Sequence, residues 1–251
     1  MTIKQKKIIL NISIILLITT AIVSGSRLIQ RKTSEDEVSE LIVSRSTELK
    51  EQPLQIDLPV DQTDSKYDYK PNKNLEYLAL NTDFTGWIEI PETLMDYPVL
   101  RGTDNEFYLN KDIYKNTSDA GAIFMDYRNL GQFNDQHTVI YGHYMKNGTM
   151  FGGLHDYKEE TYFNTHDKII ISSLYGEKTY TIFSAYIVSA DDYKLEINFE
   201  DKDYANYLQT LSSYSMHKKN LIFNEDKALL TLATCSYETE NGRMIIHAIE
   251  D

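Results

Sequence analysis

Eight short runs of β-type residues, each bounded by Gly, Pro, Asn or Asp, constrain this chain more than any other feature. They fall at 87–90, 97–100, 122–125, 138–141, 169–173, 179–188, 229–234 and 244–249. Runs this short and this numerous predict a mostly-β domain closed as a barrel or packed as a sandwich. One stretch breaks the pattern. Over 201–217, Tyr204, Tyr207, Leu208, Leu211 and Tyr214 recur at helical spacing, which predicts a long helix between late strands, and a shorter helical turn is expected after Phe151.

Upstream of these runs the chain changes character. Residues 8–26 form an uncharged apolar stretch of the length that crosses a hydrocarbon core as a helix. Lys4, Lys6, Lys7, Arg27, Arg31 and Lys32 flank it with no acid, so residues 1–32 carry +6, while 19 basic against 38 acidic residues give the remainder −19. That contrast predicts a cytoplasmic stub and signal-anchor over 1–32, with the acidic bulk translocated: a single-pass cell-membrane protein whose main domain is extracellular. The competing expectation is a cleaved secretory signal, since Ala21, Ser24, Gly25 and Ser26 offer small residues for a peptidase; the apolar run is longer than the usual core of such signals. Ser34 and Glu37 make a capping-box signal for a short helix through Val38, Leu41, Ile42 and Val43, and 51–72 holds Pro53, Pro59 and Pro71. Residues 33–71 are therefore expected to be helix and linker, and 72–251 the compact domain. The acidic balance, with no basic cluster outside the anchor, excludes nucleic acid as a partner class.

The chain has one cysteine, Cys235, so no intramolecular disulfide can form. An unpaired thiol in an exported domain is open to oxidation and calls for a reason: it is either a small buried hydrophobe or a reactive group. Its setting is Thr231-Leu232-Ala233-Thr234-Cys235, an apolar run ending at the thiol, followed by a polar loop and a strand that begins at Arg243. A hairpin centred on Thr239 makes Cys235 and Arg243 cross-strand neighbours, with Cβ atoms about 4.5–5.5 Å apart. A guanidinium beside the sulfur favours the thiolate and can donate to an oxyanion; the alternative is a hairpin whose Arg is merely solvated.

Acyl transfer by a thiol also needs an acid and base. His143 is the best placed of six histidines, because the buried-type strand 138–141 ends at Gly142 immediately before it. His247 lies within a strand pattern and reads as a core or face residue. His137, His155, His166 and His217 sit in polar contexts that predict solvated surface positions. No histidine pair has metal-ligand spacing, and there is no second cysteine.

Together, Thr231-Leu232-Ala233-Thr234-Cys235, Arg243 eight residues on and Tyr141-Gly142-His143 upstream resemble the sortase family, with its TLxTC string, downstream Arg and upstream His. Gly86-Trp87-Ile88-Glu89-Ile90, Asp96-Tyr97-Pro98-Val99, Asp104-Asn105, the stretch from Gly121 to Asn129 and Thr149-Met150-Phe151 are similar to class B members, as is the helix over 201–217. The resemblance implies an eight-stranded sortase β-barrel with an N-terminal helix. It also implies catalytic roles for Cys235 as nucleophile, His143 as acid/base and Arg243 as oxyanion or substrate stabiliser, and substrate-binding positions at Tyr141, Ala233 and Thr234. Ala233 departs from the Ser often found there in this class, which removes a hydroxyl from the groove.

The implied activity is cleavage of a C-terminal sorting signal of secreted proteins after Thr, a thioacyl-enzyme on Cys235, and transfer to an amine of peptidoglycan or its precursor. No cofactor and no metal are implied. NPxTN-like and LPxTG-like signals both stay open. So do three alternatives: pilin linking, a mainly hydrolytic endopeptidase using the same residues, and a non-catalytic membrane-tethered peptide-binding domain.

Overall fold

A computed structural model describes residues 74–189, 191–192, 195–199, 203–219, 221–236 and 242–251, with no account of the side chains of Cys235 and Ser236. The expected anchor over 8–26, the helix over 34–43 and the linker lie outside the described residues.

All eight expected strands are present: β1 (Phe84–Glu89), β2 (Asp96–Leu100), β3 (Ile123–Met125), β4 (His137–Gly142), β5 (Lys168–Ser173), β6 (Gly176–Ser189), β7 (Leu229–Ser236) and β8 (Gly242–Glu250). They close into a barrel in the order β1-β2-β3-β4-β7-β8-β6-β5. Two neighbouring pairs, β2/β3 and β4/β7, run parallel and the rest antiparallel. Closure leaves no free sheet edge. Pro98 is tolerated within β2 because pairing with β3 begins only at Val99, so the missing N–H breaks no bond on that side. In β6 the register shifts between Ile182 and Ser184, a bulge that lets a 14-residue strand bend around the barrel.

Helices cover the barrel from outside. A short helix not expected from the sequence, α1 (Asn74–Leu80), packs Tyr77 against Phe84 and Trp87, with ring centroids 5.3 and 5.0 Å apart. After Phe151 the chain forms a 3-10 helix (Gly152–Lys158) and then α2 (Glu160–Thr165). The helix expected over 201–217 is α3 (Tyr204–Ser213), capped by Asp203, which accepts from the Asn206 amide at 2.9 Å. It buries Tyr204, Leu208 and Leu211 against Phe183, Leu229 and Ile249. Each such side chain contributes roughly 1.5–3 kcal/mol of burial. The helix stops four residues short of the expected end because the backbone turns back onto β6: Met216 donates to the Ala185 carbonyl at 2.8 Å, and the Ala185 amide donates to Ser215 Oγ at 3.1 Å.

His137 corrects the sequence expectation. It is fully buried at the start of β4, not solvated. A chain of side-chain hydrogen bonds explains how the core accepts it. The Glu196 carbonyl can only accept, so His137 Nδ1 donates to it (2.5 Å) and Nε2 accepts from Thr231 Oγ1 (2.7 Å). Thr231 Oγ1 then accepts from His247 Nδ1 (2.7 Å), and His247 Nε2 accepts from the Tyr186 hydroxyl (3.0 Å). Every member is satisfied only if both rings are neutral. His247 is likewise fully buried, as its strand pattern predicts. His155, His166 and His217 are half-buried, and each has a partner: the His155 ring lies 4.4 Å from that of Tyr144, His166 stacks on Tyr162, and His217 Nε2 donates to the Tyr157 carbonyl.

Burial lowers the His137 pKa to about 4 and that of His247 well below the ordinary range. In the unfolded chain these rings titrate near 6.5, so the unfolded state takes up protons first. The stability contributed is complete above that pH and is lost as pH falls from about 6.5 toward 4. Urea unfolding is therefore expected to give a stability about 3 kcal/mol lower at pH 4 than at pH 7.5 from His137 alone. Replacing His137 by Gln should flatten that slope, and an unchanged slope would refute the assignment.

Candidate active site

Four strand ends meet at one end of the barrel. Because β4 and β7 are parallel, their C-terminal ends lie together, with Tyr141 paired to Ala233 and Gly142 to Thr234. One residue beyond that last pair, β4 yields His143 and β7 yields Cys235. On the other side of β7 the antiparallel register sets Cys235 opposite Arg243 and Ser236 opposite Gly242. The hairpin is thus centred on position 239, as its sequence symmetry predicts. The same end receives the last residues of β6, where Val188 pairs with Arg243.

Gly142 is the hinge of this arrangement. A Cβ there would lie 2.5 Å from Ile123 Cδ1 and 2.8 Å from Phe151 Cγ, so only a glycine lets the chain turn out of β4 over these side chains. His143 emerges half-buried, with its backbone carbonyl accepting from the Phe151 amide at 3.0 Å. Its ring donates Nε2–H to the Leu109 carbonyl at 2.7 Å. A carbonyl cannot donate, so the bond assigns the proton of the neutral ring to Nε2 and leaves the Nδ1 lone pair available. Arg243 is half-buried and donates Nη1–H to the Gly242 carbonyl at 3.3 Å.

The expected substrate-binding positions surround this end. Tyr141 is half-buried, its ring 5.5 Å from Phe124 and its hydroxyl donating to Asp126 Oδ2 at 2.9 Å. Asp126 in turn is gripped by Arg128 through Nε (2.9 Å) and Nη2 (2.7 Å). Burial pushes the Asp126 carboxyl up, but the bonds from Arg128 and Tyr141 outweigh it and hold the group below the usual carboxylate range. Ala233 is buried with Tyr186 and Ile245, with Tyr141 and Val188 packed alongside. Thr234 is 2% exposed, and its Oγ1 is buried without a hydrogen-bond partner. Such an orphan costs about 1–3 kcal/mol unless something satisfies it.

Sequence reasoning did not single out Asp126, Arg128 or Leu109 as parts of the site. The Asp-x-Arg spacing was a usable signal for the first two. A backbone carbonyl has none. Among the described residues no group of three or more His, Cys, Asp or Glu side chains could hold a metal ion.

Residues 88–251 match the family model described as the Sortase domain. The chain belongs to the sortase family. Sortase B of Listeria monocytogenes is 37% identical over 170 residues, 66% of this chain and 69% of that protein. Sortase B of Staphylococcus aureus is 33% identical over 172 residues, 67% of this chain and 70% of that protein. The crystal structure of Clostridium perfringens sortase B superposes with a TM-score of 0.67 at 35% identity, covering 70% of this chain and 98% of that one. These similarities identify a class B sortase, and sortases are cysteine transpeptidases. The eight-stranded barrel is therefore shared with the solved sortase B structures, and it is the scaffold that brings the ends of β4, β7 and β8 together in this sortase.

Proposed function

We propose that this sortase is tethered to the cell membrane by residues 8–26, faces outward, and joins secreted proteins to an amine of the cell wall. Cys235 is the nucleophile, His143 the acid/base and Arg243 the oxyanion stabiliser. The observation that carries the reading is the double register of β7: Gly142 to Thr234 on one side, Cys235 to Arg243 on the other. It sets positions 143, 235 and 243 at one barrel end, at the ends of β4, β7 and β8.

In the proposed cycle the Cys235 thiolate attacks the carbonyl of the Thr in a C-terminal sorting signal. Arg243 and backbone amides hold the oxyanion as the tetrahedral centre forms. The C–N bond then breaks, His143 delivers a proton to the departing amine, and a thioester remains on Cys235. An incoming amine attacks the thioester, passes a proton to His143 and releases the thiolate as the new amide forms. The orphaned Thr234 hydroxyl supports a peptide-binding role, since a bound backbone offers the partner it lacks. Tyr141 and Ala233 flank it on the paired strands, and the missing hydroxyl at Ala233 leaves this stretch of the groove apolar.

The test is to mix the full-length protein with NPxTN-type and LPxTG-type peptides and triglycine. The expected result is an amide-linked product from one signal in preference to the other. Cleavage without ligation would reassign the chain to hydrolysis, and no cleavage of either peptide would overturn the substrate assignment.

A further inference from the structure

His143 is held by a carbonyl, and that carbonyl is itself held in place. Leu109 ends a 3-10 turn (Phe107–Leu109) that the sequence did not mark as part of any site. Gly121 lies directly against it, at a φ of +60°, and a Cβ at Gly121 would sit 2.6 Å from the Leu109 oxygen and 2.6 Å from the Tyr108 oxygen. No real Cβ is found that close to a backbone oxygen, and the left-handed backbone itself disfavours a side chain.

The turn cannot retreat from such an intrusion. Tyr108 is fully buried and clamped on its far side: its hydroxyl donates to Asp83 Oδ2 at 2.6 Å and accepts from Asn81 Nδ2 at 3.1 Å. Asp83 is paired with Lys115 at 2.9 Å, and Asn81 Nδ2 also reaches the Ile113 carbonyl at 2.8 Å. The Tyr108 carbonyl is fixed by the Ala122 amide (2.9 Å), and the Gly121 amide by the Ser118 carbonyl (3.1 Å). Of the two carbonyls facing Gly121, that of Tyr108 is taken by a backbone amide, and that of Leu109 accepts from His143.

The geometry points to Gly121 as a positioning residue for the transfer reaction: by admitting the Leu109 carbonyl at close range it locks His143 in the Nε2–H tautomer and presents Nδ1 to the reacting groups. This rests on the reading of His143 as the acid/base. In that tautomer Nδ1 takes the proton from the incoming amine and gives it to the departing one, while Nε2–H stays on the carbonyl throughout. A side chain at Gly121 displaces the carbonyl, frees the ring to rotate or change tautomer, and costs orientation at the step where proton transfer is needed.

The test compares Gly121→Ala with Gly176→Ala in the full-length protein. Gly176 also has a positive φ (+134°), but a Cβ there would meet nothing within 4 Å, and it is at the far end of β6 from the site. Gly121→Ala is expected to lower kcat for ligation by about 10- to 100-fold with KM within about twofold of wild type, whereas Gly176→Ala leaves kcat unchanged. The decisive readout is the imidazole nitrogen spectrum of 15N-histidine-labelled protein at a pH where the ring is neutral, with His143 assigned by its loss in His143→Ala. Wild type should show one tautomer protonated at Nε2, and Gly121→Ala a mixture. If Gly121→Ala does not fold, Tyr108→Phe removes only the clamping hydroxyl and should move both readouts in the same direction. A single Nε2–H tautomer with wild-type kcat in whichever variant folds overturns the proposal. Full activity in His143→Ala would instead sink the acid/base reading on which it rests.

Discussion

Cys235→Ala is expected to reduce ligation of a sorting peptide to triglycine below detection, a loss of at least about 10⁴-fold, because no other residue can carry the acyl group. The chain has one cysteine, so no second thiol can substitute. The fold should not suffer. Position 235 lies at the last-but-one residue of β7, and the preceding run from Leu229 to Thr234 supplies the buried side chains. Two measurements separate chemistry from stability. Thermal unfolding should change little, while the hydroxylamine-sensitive acyl adduct seen by mass spectrometry in wild type should vanish. An alanine variant that still ligates at the wild-type rate would overturn Cys235 as the nucleophile.

His143→Ala should cost about 10²- to 10⁴-fold in the same assay, the range typical of general acid–base catalysis. The size of the loss should depend on the leaving group. An amide departs as a strongly basic amine and needs a proton; an ester departs as a far weaker base. In single-turnover acylation the variant should therefore be severely slowed on a peptide substrate and slowed less than about tenfold on the matching depsipeptide. Equal losses on both would mean that His143 acts on the nucleophile or the fold, not on the leaving group. Because the ring is half-buried and makes a single part-buried hydrogen bond, to the Leu109 carbonyl, little change in unfolding temperature is expected.

The strands were legible because a closed sheet needs short runs that alternate or stay apolar, and this chain punctuates them with Gly, Pro, Asn and Asp. The pairing of Cys235 with Arg243 was legible for a related reason: a hairpin has a centre, and equal distances from it fix which residues face each other. The parallel pairing of β4 with β7 was not. These strands lie far apart in sequence, and no local pattern states that they touch.

His137 shows the limit most clearly. Between Asp135-Gln136 and Thr138 it reads as a loop histidine, yet it is fully buried under the connection from β6 to α3, with the Glu196 carbonyl, Phe199 and Tyr207 around it. Its burial depends on partners 59 and 94 residues away. The end of α3 was missed for the same reason, since Ser215 and Met216 leave the helix to bond with Ala185 on β6.

By itself, then, the sequence determined the class of fold and marked Cys235, His143 and Arg243 as the candidate thiol, imidazole and guanidinium, because side-chain identity and local periodicity are written in it directly. Tertiary structure alone decided which strands bring those groups to one barrel end, which nitrogen of His143 holds the proton, and how two histidines survive in the core. Those features rest on backbone carbonyls and on contacts between distant segments. A carbonyl is the same atom in every residue, and only its position in the folded chain tells it apart.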